Sequence, residues 1–253
     1  MTPGTDESFG SLVVGGSGEL GRQIVRALHN EGATIGFTYH QNGKVAAQLC
    51  KELPGAVSAM ADGRDLDSLG TAIDILIEKL PPVRSFVHCA SICLTPGDPV
   101  PEDAAQSMDD VSSSGWDELM SLNVKSVYFA CRQCIPEIRR SGGGNIVLVG
   151  SISGTRPLPS PVHYAASKTA LEGMTRAMAK ELGNDNIRVN VIEPGILEAG
   201  ISRTLPGHLV TQYEKHCSLR RVGRMDEVAS VVAWMAGPNT YVSGQAILVD
   251  GAL

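Results

Sequence analysis

The chain has 253 residues, of which 43% are hydrophobic and 19% charged, and its formal net charge is −6. This length allows one large or two small domains with a real buried core. The acidic balance, without a long block of Lys and Arg, argues against a surface built for nucleic acid or an anionic membrane.

The N-terminal sequence MTPGTDESFG is polar and acidic, unlike a signal peptide or an amphipathic transit sequence. No apolar run approaches the ~20 residues that span a bilayer. The sequence therefore predicts a cytoplasmic protein with no membrane partner.

Six cysteines are scattered along the chain, at positions 50, 89, 93, 131, 134 and 217. Cys131 and Cys134 form one CxxC, but no second CxxC or nearby His pair completes a zinc site. We therefore predict no metal site, and reduced cysteines that pack as small apolar side chains.

Apolar, β-branched runs alternate with longer amphipathic segments along the chain. The runs predict strands over 11–15, 33–39, 56–60, 85–90, 145–150, 187–193 and 245–250. The amphipathic segments include predicted helices over 20–32, 66–80, 124–140 and 164–183. Continuous apolar strands are buried on both faces, and strand–helix alternation implies a parallel sheet covered by helices. The sequence predicts a single doubly wound, Rossmann-type α/β domain over 11–253, after a flexible N-terminus over 1–10.

One region departs from this compact pattern. Residues 91–116 are rich in Pro, Asp and Ser and follow the end of a predicted strand. A loop of that length in a compact domain is usually functional or disordered. Its position at the carboxyl edge of the sheet favours a substrate-side loop, with disorder as the alternative.

A glycine-rich turn joins the first predicted strand to the first predicted helix. Gly15, Gly18 and Gly21 are spaced by three, and Gly16 with the latter two also fits GxGxxG. Glycine permits positive φ and close approach of the backbone to a diphosphate. The helix that begins near Leu20 then directs free N–H groups at the anion. The turn predicts a dinucleotide site.

The end of the second predicted strand bears on the choice of dinucleotide. It reads FTYHQNGK, with no acid before Glu52 to hold a ribose 2′-hydroxyl. His40, Gln41, Asn42 and Lys44 could instead donate hydrogen bonds to a 2′-phosphate. The pattern favours NADPH over NADH, although His40 also fits a solvated loop histidine.

From Leu12 to Gly251 the sequence resembles the short-chain dehydrogenase/reductase family. The segments that carry the resemblance are VGGSGELG (14–21), AD (61–62), LNVKS (122–126), VGSISG (149–154), YAASK (164–168) and VIEPGI (191–196). Within the family, the tail over 220–235 and 241–253 is similar to the 3-oxoacyl-[acyl-carrier-protein] reductase branch.

The resemblance implies a hydride transfer with Tyr164 as the catalytic acid/base. Lys168 matches the cation that favours the phenolate and binds the nicotinamide ribose. Ser151 matches the residue that hydrogen-bonds the substrate carbonyl, and Asn123 matches the asparagine that holds a water in a proton relay.

The resemblance also implies which residues contact the cofactor. Asp62 matches an acid that contacts the adenine amino group, and Pro194 with Gly195 matches a turn beside the nicotinamide. The full set of predicted contacts is Gly15, Ser17, Gly18, Glu19, Leu20, Gly21, Tyr39, His40, Gln41, Asn42, Asp62, Gly63, Cys89, Ala90, Ser91, Asn123, Tyr164, Lys168, Pro194, Gly195 and Leu197.

Three positions depart from the family pattern. Glu19 replaces the middle glycine of the loop, and its side chain is tolerable beside a diphosphate if it points to solvent. HCAS (88–91) stands where the family usually reads NNAG, so that Cys89 and Ser91 replace an asparagine and a glycine. Ala199 replaces a threonine that binds the carboxamide.

Three functional hypotheses remain open at this stage. The first is an NADPH-dependent ketoreductase of a 3-oxoacyl thioester, with a fatty-acid or polyketide-type carrier protein or CoA as partner. Docking of an acidic carrier needs basic groups at the site mouth, with Arg139, Arg140, Arg220 and Arg221 as candidates. The second hypothesis keeps the chemistry but takes a sugar, polyol, steroid or pterin. The third is a non-catalytic nucleotide-binding scaffold or sensor.

The substrate pocket would be formed by 91–116 and 196–222 in either enzymatic case. The resemblance also implies a homotetramer, or a homodimer, through the helices that follow the fourth and fifth strands.

Overall fold

A computed structural model describes residues 9–95, 97–98 and 106–253. Its centre is a sheet of seven parallel strands, in the order β3-β2-β1-β4-β5-β6-β7. The strands are β1 (Gly10–Val14), β2 (Thr34–Tyr39), β3 (Val57–Met60), β4 (Val83–His88), β5 (Gly144–Val149), β6 (Ile187–Pro194) and β7 (Ala246–Val249).

Helices cover both faces of the sheet, which confirms the predicted doubly wound fold. They are α1 (Glu19–Asn30), α2 (Gly43–Glu52), α3 (Leu66–Lys79), α4 (Ser113–Met120), α5 (Ser126–Arg140), α6 (Val162–Leu182), α7 (Gly207–His216) and α8 (Met225–Ala236). One apolar cluster joins α3, α5 and α6 to one face, and a second joins α1 and α8 to the other.

The two clusters explain why the strands read as continuous apolar runs. In β1 and β4, Leu12 and Phe86 belong to one cluster, whereas their neighbours Val13 and Val87 belong to the other. All four side chains are fully buried. Because successive residues of a strand point to opposite faces, a sheet covered on both sides needs apolar residues at every position.

Several predicted boundaries need correction. The helix predicted over 124–140 begins as α5 at Ser126, because the backbone over Ser121–Lys125 forms a π-helical turn. The predicted loop over 91–116 ends earlier than expected, since the Ser112 side chain accepts a hydrogen bond from Gly115 N and caps α4. Residues 96 and 99–105 of that loop lie outside the described residues, as do 1–8 of the predicted flexible N-terminus.

The topology determines where a ligand can bind. The chain order reverses between β1 and β4, and parallel sheets bind ligands outside the carboxyl ends of their strands at such a point. Within the described part of the chain, no helix has the length and apolar character needed to cross a membrane.

Candidate active site

A cavity of about 930 Å³ opens at the carboxyl edge of the sheet. The strand ends and following loops of β1 to β6 contribute to its wall. The wall includes every predicted cofactor contact except Asn123. Among the described residues, no group of three or more His, Cys, Asp or Glu side chains is arranged to bind a metal ion.

The glycine loop has the conformation that the sequence demanded. Gly15 has a φ of 84°, and a Cβ there would lie 2.8 Å from the backbone N of Ala90. A Cβ at Gly21 would lie 2.1 Å from the carbonyl O of Gly15. Helix α1 begins at Glu19 without a side-chain cap, and its first-turn residues line the cavity. The loop and helix therefore form a cradle suited to an anion such as a diphosphate.

A charged cluster lies at the far end of the cavity, beyond β2 and β3. Arg64 Nη2 lies 2.9 Å from Asp62 Oδ2, and Arg64 Nη1 lies 2.6 Å from Glu118 Oε1 on α4. The Arg64 guanidinium lowers the pKa of Asp62 to about 2. His40 Nε2 lies 3.7 Å from the same carboxylate. Sequence reasoning missed Arg64 and Glu118, because no motif links them across 54 positions.

Helix α6 carries Tyr164 and Lys168 onto the cavity wall, one turn apart. Lys168 Nζ donates a hydrogen bond to Val149 O at 3.1 Å and lies 5.6 Å from the centre of the Tyr164 ring. Ser151, in the loop after β5, lines the cavity beside Tyr164, and its side chain acts on the phenol. The structure thus brings together the three residues that the sequence singled out for proton transfer.

Burial controls the protonation states of this group. It raises the pKa of the Tyr164 phenol above its usual value, while the Ser151 side chain acts in the opposite direction. Burial also lowers the pKa of Lys168 to about 8 and raises the pKa of the Cys89 and Cys93 thiols to about 12. At pH 7 the phenol and thiols are neutral, and Lys168 is mostly charged.

Asn123 lies behind the cavity wall, in the π-helical turn before α5. Its Nδ2 donates to Ile92 O at 2.8 Å and to Ser167 Oγ at 3.1 Å. Its Oδ1 accepts from Ile92 N at 3.0 Å and from Ser91 Oγ at 3.2 Å. The side chain therefore ties the chain after β4 to α6, and both of its N–H groups are already used.

The same contacts explain part of the HCAS departure. Ser91, which replaces a glycine, directs its hydroxyl at Asn123. His88 is 2% exposed, and its Nε2 lies 3.2 Å from Ser126 Oγ on α5. Burial lowers the pKa of His88 to about 3, with the nearby Lys168 charge contributing, so the ring is neutral.

The Glu19 side chain does not point to solvent, although the sequence predicted that it must do so to be tolerated beside a diphosphate. Its Oε2 accepts a hydrogen bond from Gly200 N, and its Oε1 lies 2.9 Å from Arg203 Nη1. These partners belong to a 3₁₀ turn over Gly200–Thr204 that precedes α7. The third departure, Ala199, lies immediately before this turn and lines the cavity.

The other end of the cavity lies between the loop after β5 and helix α7. Its apolar wall includes Pro157, Leu158, Leu205 and Leu209. Arg156 lines the same end and is exposed. Leu205 and Leu209 fall within 196–222, which was predicted to form the pocket, whereas Arg156, Pro157 and Leu158 were missed because no motif marks their loop.

The basic residues proposed from sequence lie elsewhere. None of them lines the cavity, and two pair with nearby acids: Arg139 Nε lies 2.6 Å from Asp185 and Arg221 Nη2 lies 2.7 Å from Glu227. Arg140 pairs with Glu137, and Arg220 donates to Lys215 O. Arg156 is instead a basic residue on the wall at the apolar end of the cavity. The described part of the 91–116 loop contributes Ser91, Ile92 and Cys93 to the wall.

Residues 16–253 match the family profile described as enoyl-(acyl carrier protein) reductase. Three curated relatives are similar over 94–96% of their own lengths and 95–96% of this chain. They are a probable galactose dehydrogenase of Rhizobium meliloti (28% identical), a cyclic-di-GMP-binding biofilm dispersal mediator protein of Escherichia coli (32%) and a 3-oxoacyl-[acyl-carrier-protein] reductase of Thermotoga maritima (29%).

Two solved structures are similar in fold and sequence. A blue fluorescent protein from a metagenomic library, in complex with NADPH, is 31% identical with a TM-score of 0.84, over 96% of this chain and 98% of its own. A 3-oxoacyl-[acyl-carrier protein] reductase from Brucella melitensis with bound NAD is 28% identical with a TM-score of 0.85, over 98% of this chain and 92% of its own.

Proposed function

The chain belongs to the short-chain dehydrogenase/reductase family, and from that premise we propose that it is an NADPH-dependent ketoreductase of a 3-oxoacyl thioester. The observation that carries the proposal is the buried group at the cavity wall. There a protonated phenol at Tyr164 faces a mostly charged ammonium at Lys168, with Ser151 beside them on the cavity wall.

The part of the cavity between the glycine loop and the carboxyl ends of the strands suits a dinucleotide. Gly15 and Gly21 leave no room for side chains, and the open start of α1 fits a diphosphate. A bound reduced nicotinamide would supply a hydride to the carbonyl carbon. The enzyme's own side chains then need to hold the substrate and deliver one proton.

Tyr164 is the proton donor in this proposal. Its raised pKa keeps the phenol protonated before reaction, and its Oη passes the proton to the substrate oxygen as negative charge develops there. The Lys168 ammonium stabilises the resulting phenolate. Ser151 donates a hydrogen bond to the substrate oxygen. Asn123 acts as a positioning residue that fixes the chain after β4 to α6.

The preference for NADPH is supported by charges at the far end of the cavity. Asp62 is the acid nearest the end of β2, and Arg64 already pairs with it. A 2′-phosphate would meet Asp62 paired with Arg64, which also binds Glu118, and would have His40 and Arg64 as nearby donors. We propose that Arg64 and His40 discriminate NADPH from NADH.

The acyl substrate is supported by the apolar wall at the opposite end. Pro157, Leu158, Leu205 and Leu209 offer a surface that suits a hydrocarbon chain better than a sugar. The exposed Arg156 suits the phosphate of CoA or of a carrier protein's prosthetic arm. This balance favours a thioester over a sugar, polyol, steroid or pterin.

A second candidate is a nucleotide-binding protein without turnover. It is favoured by the relative from Escherichia coli, whose name describes cyclic-di-GMP binding. The departures at Glu19 and Cys89 point the same way, because both replace family residues at the cofactor. The intact proton-transfer group favours the enzyme.

The deciding experiment measures NADPH oxidation with acetoacetyl-CoA, beside NADH and beside Tyr164→Phe. We expect NADPH-selective turnover that falls by about 10²–10⁴ in the variant while NADPH binding, followed by fluorescence titration, is retained. Tyr241→Phe is the matched control, since Tyr241 is 96% exposed and lies outside the cavity wall. Tight NADPH binding, with no turnover of thioesters with NADPH and none of D-galactose with NADP⁺ or NAD⁺, would favour the second candidate.

We also propose a homotetramer that works in the cytoplasm. Tyr128 on α5 and Val162 on α6 are about half exposed, as expected of helices that pack against another subunit. Size-exclusion chromatography with light scattering tests the assembly, and a monomer would contradict it.

A further inference from the structure

One contact joins the glycine loop to a segment far along the chain. Glu19, the first residue of α1, binds the 3₁₀ turn over Gly200–Thr204 with both carboxylate oxygens. Oε2 accepts from Gly200 N, at the start of the turn. Oε1 lies 2.9 Å from Arg203 Nη1, near its end. A single carboxylate thus holds both ends of the turn.

The backbone of the turn is shaped for this contact. Gly200 has a φ of 73°, in the left-handed region that favours glycine. A Cβ there would lie 3.1 Å from Met225 Cε and 4.0 Å from Glu19 Oε2. A residue with a side chain would therefore be strained and crowded at the point where the N–H meets the carboxylate. The Glu19 side chain is 27% exposed, so water screens the contact only in part.

The contact lies across the cavity. Gly18 and Glu19 line it on the side of the glycine loop, and Ala199 and Gly200 line it on the side of the 200–204 turn. A diphosphate held by the glycine loop would lie beside the bridge formed by Glu19. If the turn separated from Glu19, the cavity would be wider at that position.

We propose that Glu19 is a positioning residue that latches the 200–204 turn to the glycine loop, and that this latch opens for the dinucleotide to enter and leave. The gating role rests on the proposed function, since it assumes dinucleotide binding. The latch itself is a contact between described residues.

Charge gives a competing account of Glu19 that an experiment can separate from the latch. A carboxylate beside a diphosphate repels it, and Arg203 offsets that repulsion. If repulsion alone mattered, removal of the Glu19 charge would tighten NADPH binding and removal of the Arg203 charge would weaken it. A latch predicts the same direction for both, because either change frees the turn.

The experiment compares Glu19→Gln, Arg203→Gln and the double variant in stopped-flow NADPH binding. Each single variant should accelerate both association and dissociation, by about two- to tenfold, which is the range for losing a charge-assisted contact at a partly exposed site. The double variant should resemble the single variants rather than their product, because both remove the Glu19–Arg203 ion pair. Arg22→Gln is the matched control: Arg22 lies 4.0 Å from Glu19 on α1 and is not part of the turn.

Hydrogen exchange in the cofactor-free protein supplies a readout that does not depend on NADPH. The amides of 200–204 and of α7 should exchange several-fold faster in both single variants and unchanged in the control. Opposite signs for the two variants in NADPH binding, or unchanged exchange in the turn, would overturn the latch. Failure of the wild-type protein to bind either dinucleotide would instead refute the proposed function, and the gating role with it.

Discussion

Replacing Lys168 with methionine should abolish reduction and yet stabilise the cofactor-free protein at pH 7. The Lys168 side chain is buried, and burial lowers its pKa from 10.5 to about 8. Since one pKa unit corresponds to about 1.4 kcal/mol, folding with this charge costs ~3 kcal/mol. The variant loses the hydrogen bond to Val149 O, worth about 1 kcal/mol. The expected net gain in the free energy of unfolding is ~2 kcal/mol.

The gain should vary with pH in a defined direction. Because the folded-state pKa of Lys168 lies below the unfolded-state value, the unfolded chain binds more protons between about pH 8 and 10.5. Wild-type stability therefore rises with pH across this window. The advantage of the variant is complete below about pH 8 and disappears as pH approaches 10.5.

Urea unfolding followed by tryptophan fluorescence at pH 7, 8, 9 and 10 measures this difference. Lys125→Met serves as the control, because Lys125 is exposed and its loss should change stability by less than about 0.5 kcal/mol. A Lys168→Met variant that is less stable than wild type at pH 7, or a difference that stays constant with pH, would refute the reasoning.

Three further predictions concern stability. Burial raises the pKa of Glu193, which lies against the Glu172 carboxyl, so wild-type stability should fall as pH rises above 4.5. Glu193→Gln should therefore be more stable than wild type at pH 8 and equal to it at pH 4, as thermal melts would reveal; a pH-independent difference would contradict this. Asn123→Ala should lower the free energy of unfolding in urea by about 2–4 kcal/mol, because it leaves buried backbone and hydroxyl groups unpaired; a loss under 1 kcal/mol would contradict it. Gly195→Ala should lower the melting temperature, since a Cβ there would lie 2.1 Å from Tyr213 Oη. Adding Tyr213→Phe to this variant should recover part of that loss. No recovery would show that the contact of the new Cβ with Asp250 Cα, at 2.9 Å, dominates.

Much of the fold follows from local patterns in the sequence. Strands β1, β2, β4, β5 and β6 were found because burial on both faces demands apolar residues with little alternation, as in Leu12 and Val13. Helix α2, by contrast, was not assigned: GKVAAQLCKE buries only Ala46 and Leu49, so its apolar periodicity is weak. The π-helical turn before α5 was also missed, because the contacts of Asn123 with Ile92 and Ser167 are long-range.

The site divides in the same way. Tyr164, Lys168 and Ser151 could be predicted because their spacing resembles that of the family's motif residues, and the topology brings them together. The partner of Glu19 could not, because it lies 181 positions away on a turn that no motif marks. Arg156 and Arg64 were missed for a similar reason. The fold places Arg156 at the cavity and Arg64 beside Glu118, and neither position follows from the residues adjacent in sequence.

The two ends of the cavity are built from different stretches of chain, and this division has an evolutionary consequence. Segments up to Ala90 form the cradle for a dinucleotide, whereas the loop after β5 and the 200–216 region enclose the apolar end. Under the proposed function, substitutions at 156–161 and 205–216 would change which molecule is accepted and leave Ser151, Tyr164 and Lys168 in place. The same reaction could then serve different substrates in related chains.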